Sequence, residues 1–259
     1  MSERLSEEHF WREHWQTVGT QRQPLAGYAG RLWHRIHDQA YATARPGQKC
    51  IEIGCADSMH LPVIARQYQL QVSGLDYTEN GCRQARERLS QAGVAGEIYH
   101  RDLFAANDDL LGQFDYVMSF GLVEHFDDTR APLRAMRRLL KPGGRILTTT
   151  PNVDPRSLHV HLQRRVGPKI LAIHKLMSLA DLERSHRESG FETLSCRYEG
   201  MGLFLAFEET GTASRLLART CTGIVQAARK GFELLSLTPP AGVLTGSCMV
   251  YLGQAANDR

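Results

Sequence analysis

Between Lys49 and Thr150, short β-branched or aromatic runs alternate with amphipathic helical patterns, and this rhythm constrains the fold more than any other feature of the chain. Lys49-Cys50-Ile51-Glu52-Ile53-Gly54 is the first strand pattern. Asp57 and Ser58 then cap a helix that turns Leu61, Ile64, Ala65 and Tyr68 inward and tolerates Pro62 in its first turn. Val72–Asp76 is the second strand, followed by Thr78 as N-cap and a helix with Cys82, Ala85 and Leu89 on one face. Glu97–His100, Phe114–Phe120 and Arg145–Thr150 complete five strands. A helix from about Asp128 brings Leu133, Met136, Leu139 and Leu140 inward before Lys141-Pro142-Gly143-Gly144. Parallel crossovers are most simply made by helices, so this order predicts a parallel sheet covered on both faces.

After Thr150 the rhythm breaks. Ser178-Leu179-Ala180-Asp181 is a capping box opening a helix that ends at Gly190, and Phe191–Tyr198 and Ser247–Leu252 read as the last strands. Between them Leu217, Cys221, Ile224, Val225, Ala228, Phe232 and Leu235 recur at helical spacing, which predicts one long amphipathic helix over 212–236 that stops before Pro239-Pro240. Its stripe is expected to pack on its own core or on a second subunit in a homodimer. Membrane-surface contact is the alternative, because Arg215, Arg219, Arg229 and Lys230 lie beside it. Upstream, Phe10, Trp11, Trp15, Leu32, Trp33, Ile36 and Ala40 mark an N-terminal helical segment ending at Arg45-Pro46-Gly47. With no repeat and no long linker, the 259 residues read as one domain: a helical cap over 1–45, a core over 46–150, and a C-terminal half over 151–259 carrying inserts 151–177 and 200–245.

The ends of the strands carry the chemistry, because ligands of an open parallel sheet bind beyond its carboxyl edge. They are Gly54-Cys55-Ala56-Asp57-Ser58, Asp76-Tyr77, Arg101-Asp102-Leu103-Phe104 and Ser119 through His125, three of them rich in acids. A dinucleotide pyrophosphate wants further glycines and a bare helix N-terminus, whereas Asp57 sets a carboxylate there, so NAD is disfavoured. A ligand with a ribose, an adenine and a cationic group suits these acids better. No metal-ligand spacing is found, since His159-x-His161 lacks a third ligand, and no metal is expected.

Glu52-x-Gly54-x-x-Asp57, Gly74-Leu75-Asp76, Arg101-Asp102-Leu103, Phe114-Asp115-Tyr116-Val117 with Glu124-His125, and Leu139-Leu140-Lys141-Pro142-Gly143-Gly144 resemble, in order and spacing, the motifs of class I S-adenosylmethionine-dependent methyltransferases. The likeness covers about residues 49–150, and the last two strands match that family's antiparallel hairpin. It implies a doubly wound, seven-stranded, mostly parallel Rossmann-like α/β sheet, with S-adenosyl-L-methionine as cofactor. By the same resemblance, Gly54 lets the backbone approach the methionine moiety, Asp76 grips the ribose hydroxyls, Asp102 and Leu103 frame the adenine, and Ser119 or Phe120 lines the pocket near the sulfonium. Glu52 bonds the loop or the ligand's amino group, and Asp57 and Tyr77 complete the cofactor set. The chain departs from the family at Ala56-Asp57-Ser58, where further glycines are usual, and neither Ala nor Asp takes a positive φ as freely as Gly.

Transfer from a sulfonium is an in-line displacement by an activated donor, so the enzyme must align the acceptor and, for a hydroxyl, remove its proton. His125, just after the fourth strand, is the expected general base, with Tyr28, His159, His161, His174 and Tyr198 behind it. From Pro155 to Ala180 there are five basic residues, Arg156, Arg164, Arg165, Lys169 and Lys175, and no acid, which suits an acceptor bearing an anionic group or a solvated face. A net charge of +3, from 31 Lys and Arg against 28 Asp and Glu, is too small for a global field that holds nucleic acid. The six cysteines form no C-x-x-C pair and read as reduced thiols of a cytoplasm, the N-terminus is polar and acidic, and no apolar run approaches a bilayer span. The expectation is a small-molecule O- or N-methyltransferase. An RNA or tRNA methyltransferase and a non-catalytic binding module on the same fold are the alternatives.

Overall fold

The computed structural model describes residues 4–17, 27–208, 211–235 and 237–256; the side chain of Trp15 lies outside what is described. Seven strands form one sheet in the order β3-β2-β1-β4-β5-β7-β6. They are β1 Lys49–Ile53, β2 Gln71–Asp76, β3 Gly96–His100, β4 Phe114–Phe120, β5 Leu140–Pro151, β6 Phe191–Glu199 and β7 Cys248–Ala255. β7 runs antiparallel to both β5 and β6, and the other pairs are parallel. This is the seven-stranded, mostly parallel sheet that the sequence predicts.

Nine helices among the described residues accompany it: α1 Glu8–Thr17, α2 Gly27–Ala40, α3 His60–Tyr68, α4 Glu79–Gln91, α5 Arg130–Leu139, α6 Leu158–Val166, α7 Pro168–Ala172, α8 Leu179–Glu188 and α9 Thr212–Leu234. None is long and apolar enough to cross a membrane. Period-two alternation divides the core between the faces of the sheet. Cys50, Val72, Tyr116, Met118 and Val250 pack with α2, α3 and α4, whereas Ile51, Ile53, Val117, Ile146 and Met249 pack with α5 and α8.

Local bonds fix the boundaries where the sequence places them. The Thr78 hydroxyl accepts from the Gly81 amide, and Ser178 and Asp181 form the complete capping box. Two strand boundaries differ by three residues or more: β7 runs on to Ala255 past the expected Leu252, and β5 departs further. β5 begins at Leu140 rather than Arg145, because Lys141-Pro142-Gly143-Gly144 is taken into the strand as an irregularity: Phe114 pairs with Leu140 and Tyr116 with Arg145. Lys141 Nζ donates to Asp115 at 2.7 Å, and the same carboxylate accepts the Lys49 amide, so Asp115 ties β1, β4 and β5 together at the amino edge. Strand order reverses between β1 and β4, which opens the crevice at the carboxyl ends of those two strands.

Candidate active site

That crevice holds a cavity of about 140 Å³, and eight of the ten residues predicted for the site line it: Glu52, Gly54, Asp57, Asp76, Tyr77, Leu103, Phe120 and His125. Asp102 and Ser119 do not. Ser119 is buried on β4 with its hydroxyl unpartnered, and Asp102 is engaged outside the cavity.

β1 delivers Glu52 and then turns at Gly54, whose φ of +74° is a left-handed conformation that costs glycine little. The Gly54 amide donates to the Leu75 carbonyl, which clamps the loop to β2. The missing glycines after it are replaced by two devices. Asp57 itself adopts φ +48°, and Asp tolerates this region better than most side chains. Its carboxylate is fixed by Arg88 of α4, whose Nη2 lies at 2.5 Å. Asp57 is therefore a buried anchor of the loop, with Oδ1 committed to Arg88 and Oδ2 without a partner.

Asp76, at the end of β2, is 4% exposed. Its Oδ1 accepts from the Thr78 amide and hydroxyl at 2.8 and 2.6 Å, and its Oδ2 accepts from the Ala56 amide at 3.2 Å. Burial raises its pKa, against the pull of these donors. Glu52 accepts from the Ser58 hydroxyl, which in turn accepts from the His60 and Leu61 amides and so starts α3. Desolvation pushes the Glu52 carboxyl up to about 8. Two buried carboxyls with elevated pKa thus face one cavity, an arrangement that a cationic ligand would relieve.

The N-terminal segment, expected as a helical cap, adds a wall to the cavity through contacts that no spacing in the sequence indicates. Arg4 Nη2 donates to both oxygens of Asp102 at 2.7 Å, its guanidinium lies 4.8 Å from the Tyr77 ring centroid, and the Leu5 amide donates to the His125 carbonyl. Arg4, Ser6 and Trp11 line the cavity. Asp102 is therefore occupied by Arg4 and the Phe104 amide, where the sequence suggested contact with an adenine. His60, in the first turn of α3, was also missed, although its place directly after the first loop was a signal. It stacks on Phe120 at 3.8 Å, with Trp33 edge-on to both rings.

On the other wall His125 is buried, with Nδ1 2.7 Å from the Ile173 carbonyl. A carbonyl only accepts, so Nδ1 carries the proton and Nε2 keeps the lone pair. His174 is set in the same tautomer by the Ile170 carbonyl, and the two rings lie 4.6 Å apart. Desolvation pushes His125 down to about 3 and Glu124 up to about 8, and both Glu124 oxygens lack a partner. Ligand-type atoms of Glu124, His125 and His174 lie within 4.8 Å of one another. Linear spacing concealed this grouping, because His174 arrives from the segment after α7. Of the other second-rank candidates, the Tyr28 hydroxyl accepts from the Met201 amide at 2.7 Å, and the Tyr198 hydroxyl donates to Asp154 at 2.8 Å. None of Tyr28, His159, His161, His174 and Tyr198 lines the cavity, and neither do the five basic residues of 155–180. Arg156 is held by Asp154 and Lys175 by Asp127.

These shifts set the pH response of the ligand-free protein. Desolvation pushes His37, His125, His159 and His186 down to about 4, 3, 4 and 3, so the stability they contribute is complete above about 6.5 and is lost as pH falls toward those values. Glu52 and Glu124, pushed up to about 8, act oppositely: their contribution is complete below about 4.5 and is lost as pH rises toward 8. Four gains against two losses make stability rise to about pH 6.5 and fall above it. Thermal melts from pH 4.5 to 8.5 should show this maximum; a profile still rising at pH 8 would refute the assignment.

Residues 25–196 match the family described as a methyltransferase domain. A ubiquinone biosynthesis O-methyltransferase of Pseudomonas aeruginosa is 33% identical over 113 residues, 43% of this chain and 47% of that protein. One from Thiobacillus denitrificans is 30% identical over 158 residues, 57% of this chain and 66% of that protein. The match thus spans about half the length of the first of these relatives. Among solved structures, phosphoethanolamine N-methyltransferase 2 of Haemonchus contortus with S-adenosyl-L-methionine superposes with a TM-score of 0.58 at 20% identity, over 96% of this chain and 56% of that one. The cyclase SpnF does so with a TM-score of 0.58 at 16% identity, over 92% and 86%. At such identities the structures report the fold alone.

Proposed function

Because the chain belongs to the class I S-adenosylmethionine-dependent methyltransferases, we propose that it transfers a methyl group to a hydroxyl oxygen of a small molecule, with His125 taking the proton. The observation that carries this reading is the cavity at the β1–β4 switch point, where Glu52 and Asp76 meet the neutral His125. The residues present fit the cofactor: two buried carboxyls of raised pKa would be relieved by its cationic groups, and Gly54 leaves room that a Cβ would narrow to 3.4 Å from Leu122. When bound, S-adenosylmethionine supplies an activated methyl group on a sulfonium. In this reading Asp76 holds the ribose, Leu103 and Tyr77 flank the base, Glu52 and the Gly54 backbone receive the methionine end, and Phe120 excludes water.

His125 would accept the acceptor's hydroxyl proton at Nε2, the atom its bond to Ile173 leaves free. Its low proton affinity is a consequence of desolvation, so the charged form depends on a nearby anion. Glu124 is that anion once ionised. The names of the relatives favour oxygen as the acceptor atom. No cation of the 155–180 run reaches the cavity, so an anionic group on the acceptor finds no support there.

The test is formation of S-adenosylhomocysteine from S-adenosylmethionine with a panel of phenols, amines and transfer RNA, read by mass spectrometry. Phenols should be methylated, and His125→Ala should lower kcat by about 10²–10⁴-fold with cofactor affinity intact. Turnover of amines or RNA alone would overturn the assignment. The Glu124, His125 and His174 grouping favours a second reading, in which a divalent cation binds the acceptor oxygen. A chelator distinguishes the two: activity that is lost and then restored by added Mg²⁺ or Zn²⁺ selects the metal, and unchanged activity selects the free base.

A further inference from the structure

α9 lies between β6 and β7 and packs on α6 through only one flank, where Ala218 and Val225 are buried and Cys221 and Phe232 partly so. Of the apolar stripe expected to be covered, Leu217, Ile224, Ala228 and Leu235 are left in solvent, and Leu216 and Leu234 extend the exposed apolar face. Leu216, Leu217, Ile224 and Leu234 are 65%, 46%, 64% and 86% exposed, and at 100° per residue they fall within one arc of the helix. Alanines 213 and 227 and Thr220 share that arc, so it contains no charge.

The border of the arc is cationic. Arg219 and Lys230 are exposed along one edge, and neither has an ion-pair partner among the described residues. The helix has a single acid, Glu233, and this is held by Arg31 at 2.5 Å. α6, which packs on α9, and α7, which follows it, add exposed Arg164 and Lys169 without any acid between Pro155 and Ala180. The segment leaving β6, which packs on α9 through Met201 and Leu203, exposes Phe204 and Phe207.

We propose that this face of α9 docks on the surface of an anionic lipid bilayer, with the leucines and Ile224 in the acyl boundary and Arg219 and Lys230 at the headgroups. A helix with an apolar face, a basic border and no free acid has the charge and polarity that such a surface recognises. A second copy of the chain fits worse. A two-fold contact on this face would set Arg219 and Lys230 against their own equivalents or leave their like charges crowded at the rim. The inference stands apart from the proposed reaction, because its readout is binding and needs neither cofactor nor acceptor.

Flotation of the full chain with vesicles tests it. Vesicles containing phosphatidylglycerol should carry the protein, pure phosphatidylcholine vesicles should bind at least about tenfold more weakly, and 0.5 M salt should weaken the anionic binding. Arg219→Gln and Lys230→Gln should each weaken it by about fivefold, the equivalent of about 1 kcal/mol per cation near the surface. Leu216→Ser/Ile224→Ser should abolish it while leaving the melting temperature unchanged, since both side chains are already in solvent. Absence of binding to anionic vesicles overturns the proposal, and so does binding that survives the double serine variant. A dimer in sedimentation that those same serines dissolve would assign the face to self-association instead.

Discussion

Replacing Asp76 by alanine is expected to raise the dissociation constant for S-adenosylmethionine by at least about 100-fold. Hydrogen bonds to a charged group contribute about 1.5–3 kcal/mol each, so two lost to a ribose correspond to about 10²–10⁴-fold. The local structure sharpens this expectation. A carboxylate offers about four acceptor sites, and Asp76 already spends three of them on the Thr78 amide, the Thr78 hydroxyl and the Ala56 amide. Gripping two ribose hydroxyls therefore requires Thr78 Oγ1 to yield one. Thr78→Val, which removes that competitor, should leave affinity within about threefold of the wild type or improve it, whereas Asp76→Asn, which keeps the shape and loses the charge, should fall between wild type and alanine. Calorimetric titration separates these outcomes, and melting curves report whether the Ala56 loop survives. If Asp76→Ala binds the cofactor within threefold of the wild type, the ribose does not sit on this carboxylate.

What could be read from the chain alone was what local periods and side-chain-to-backbone bonds decide. Strand ends at Ile53, Asp76 and Phe120, the Thr78 cap and the Ser178–Asp181 box all belong to this class, and they suffice to gather Glu52, Gly54, Asp76 and Phe120 at one edge of the sheet. What stayed hidden depends on partners distant in sequence. Asp102 meets Arg4 across 98 residues and Asp57 meets Arg88 across 31, and no spacing rule connects either pair. The first contact ties the N-terminal segment to the carboxylate expected beside the adenine. The second explains how a loop short of glycines holds φ +48° at Asp57, with a buried ion pair fixing the backbone. His174 reaches His125 by the same kind of long-range convergence. α9 shows a different limit: periodicity identifies an apolar face, but only the packing shows that α6 covers just one flank of it.

The largest effect on folding should come from Gly74, in the middle of β2, for reasons of space rather than backbone conformation. A Cβ built there would lie 2.5 Å from Cys55 Sγ, 2.8 Å from Cys55 Cβ and 2.9 Å from Ile98 Cδ1, all closer than carbon and sulfur atoms approach without displacement. Cys55 has no room to retreat: it is fully buried, and its amide shares the Leu75 carbonyl with that of Gly54. Overpacking of this kind costs about 1–3 kcal/mol for one methyl group and more for a branched side chain. Gly74→Ala should therefore lower the melting temperature by roughly 2–12 °C, at about 2–4 °C per kcal/mol, and Gly74→Val should leave little folded protein. The strain should pass into the cofactor loop, because the displaced residue is Cys55, so Gly74→Ala should also weaken S-adenosylmethionine binding. Cys55→Gly removes two of the three clashing atoms and leaves only the end of a flexible isoleucine. In a double-mutant cycle, Cys55→Gly should recover most of the stability that Gly74→Ala loses, a coupling that independent sites would not show. Additive losses in the cycle, or an alanine at 74 that melts with the wild type, would mean that the loop does not press on β2 as described.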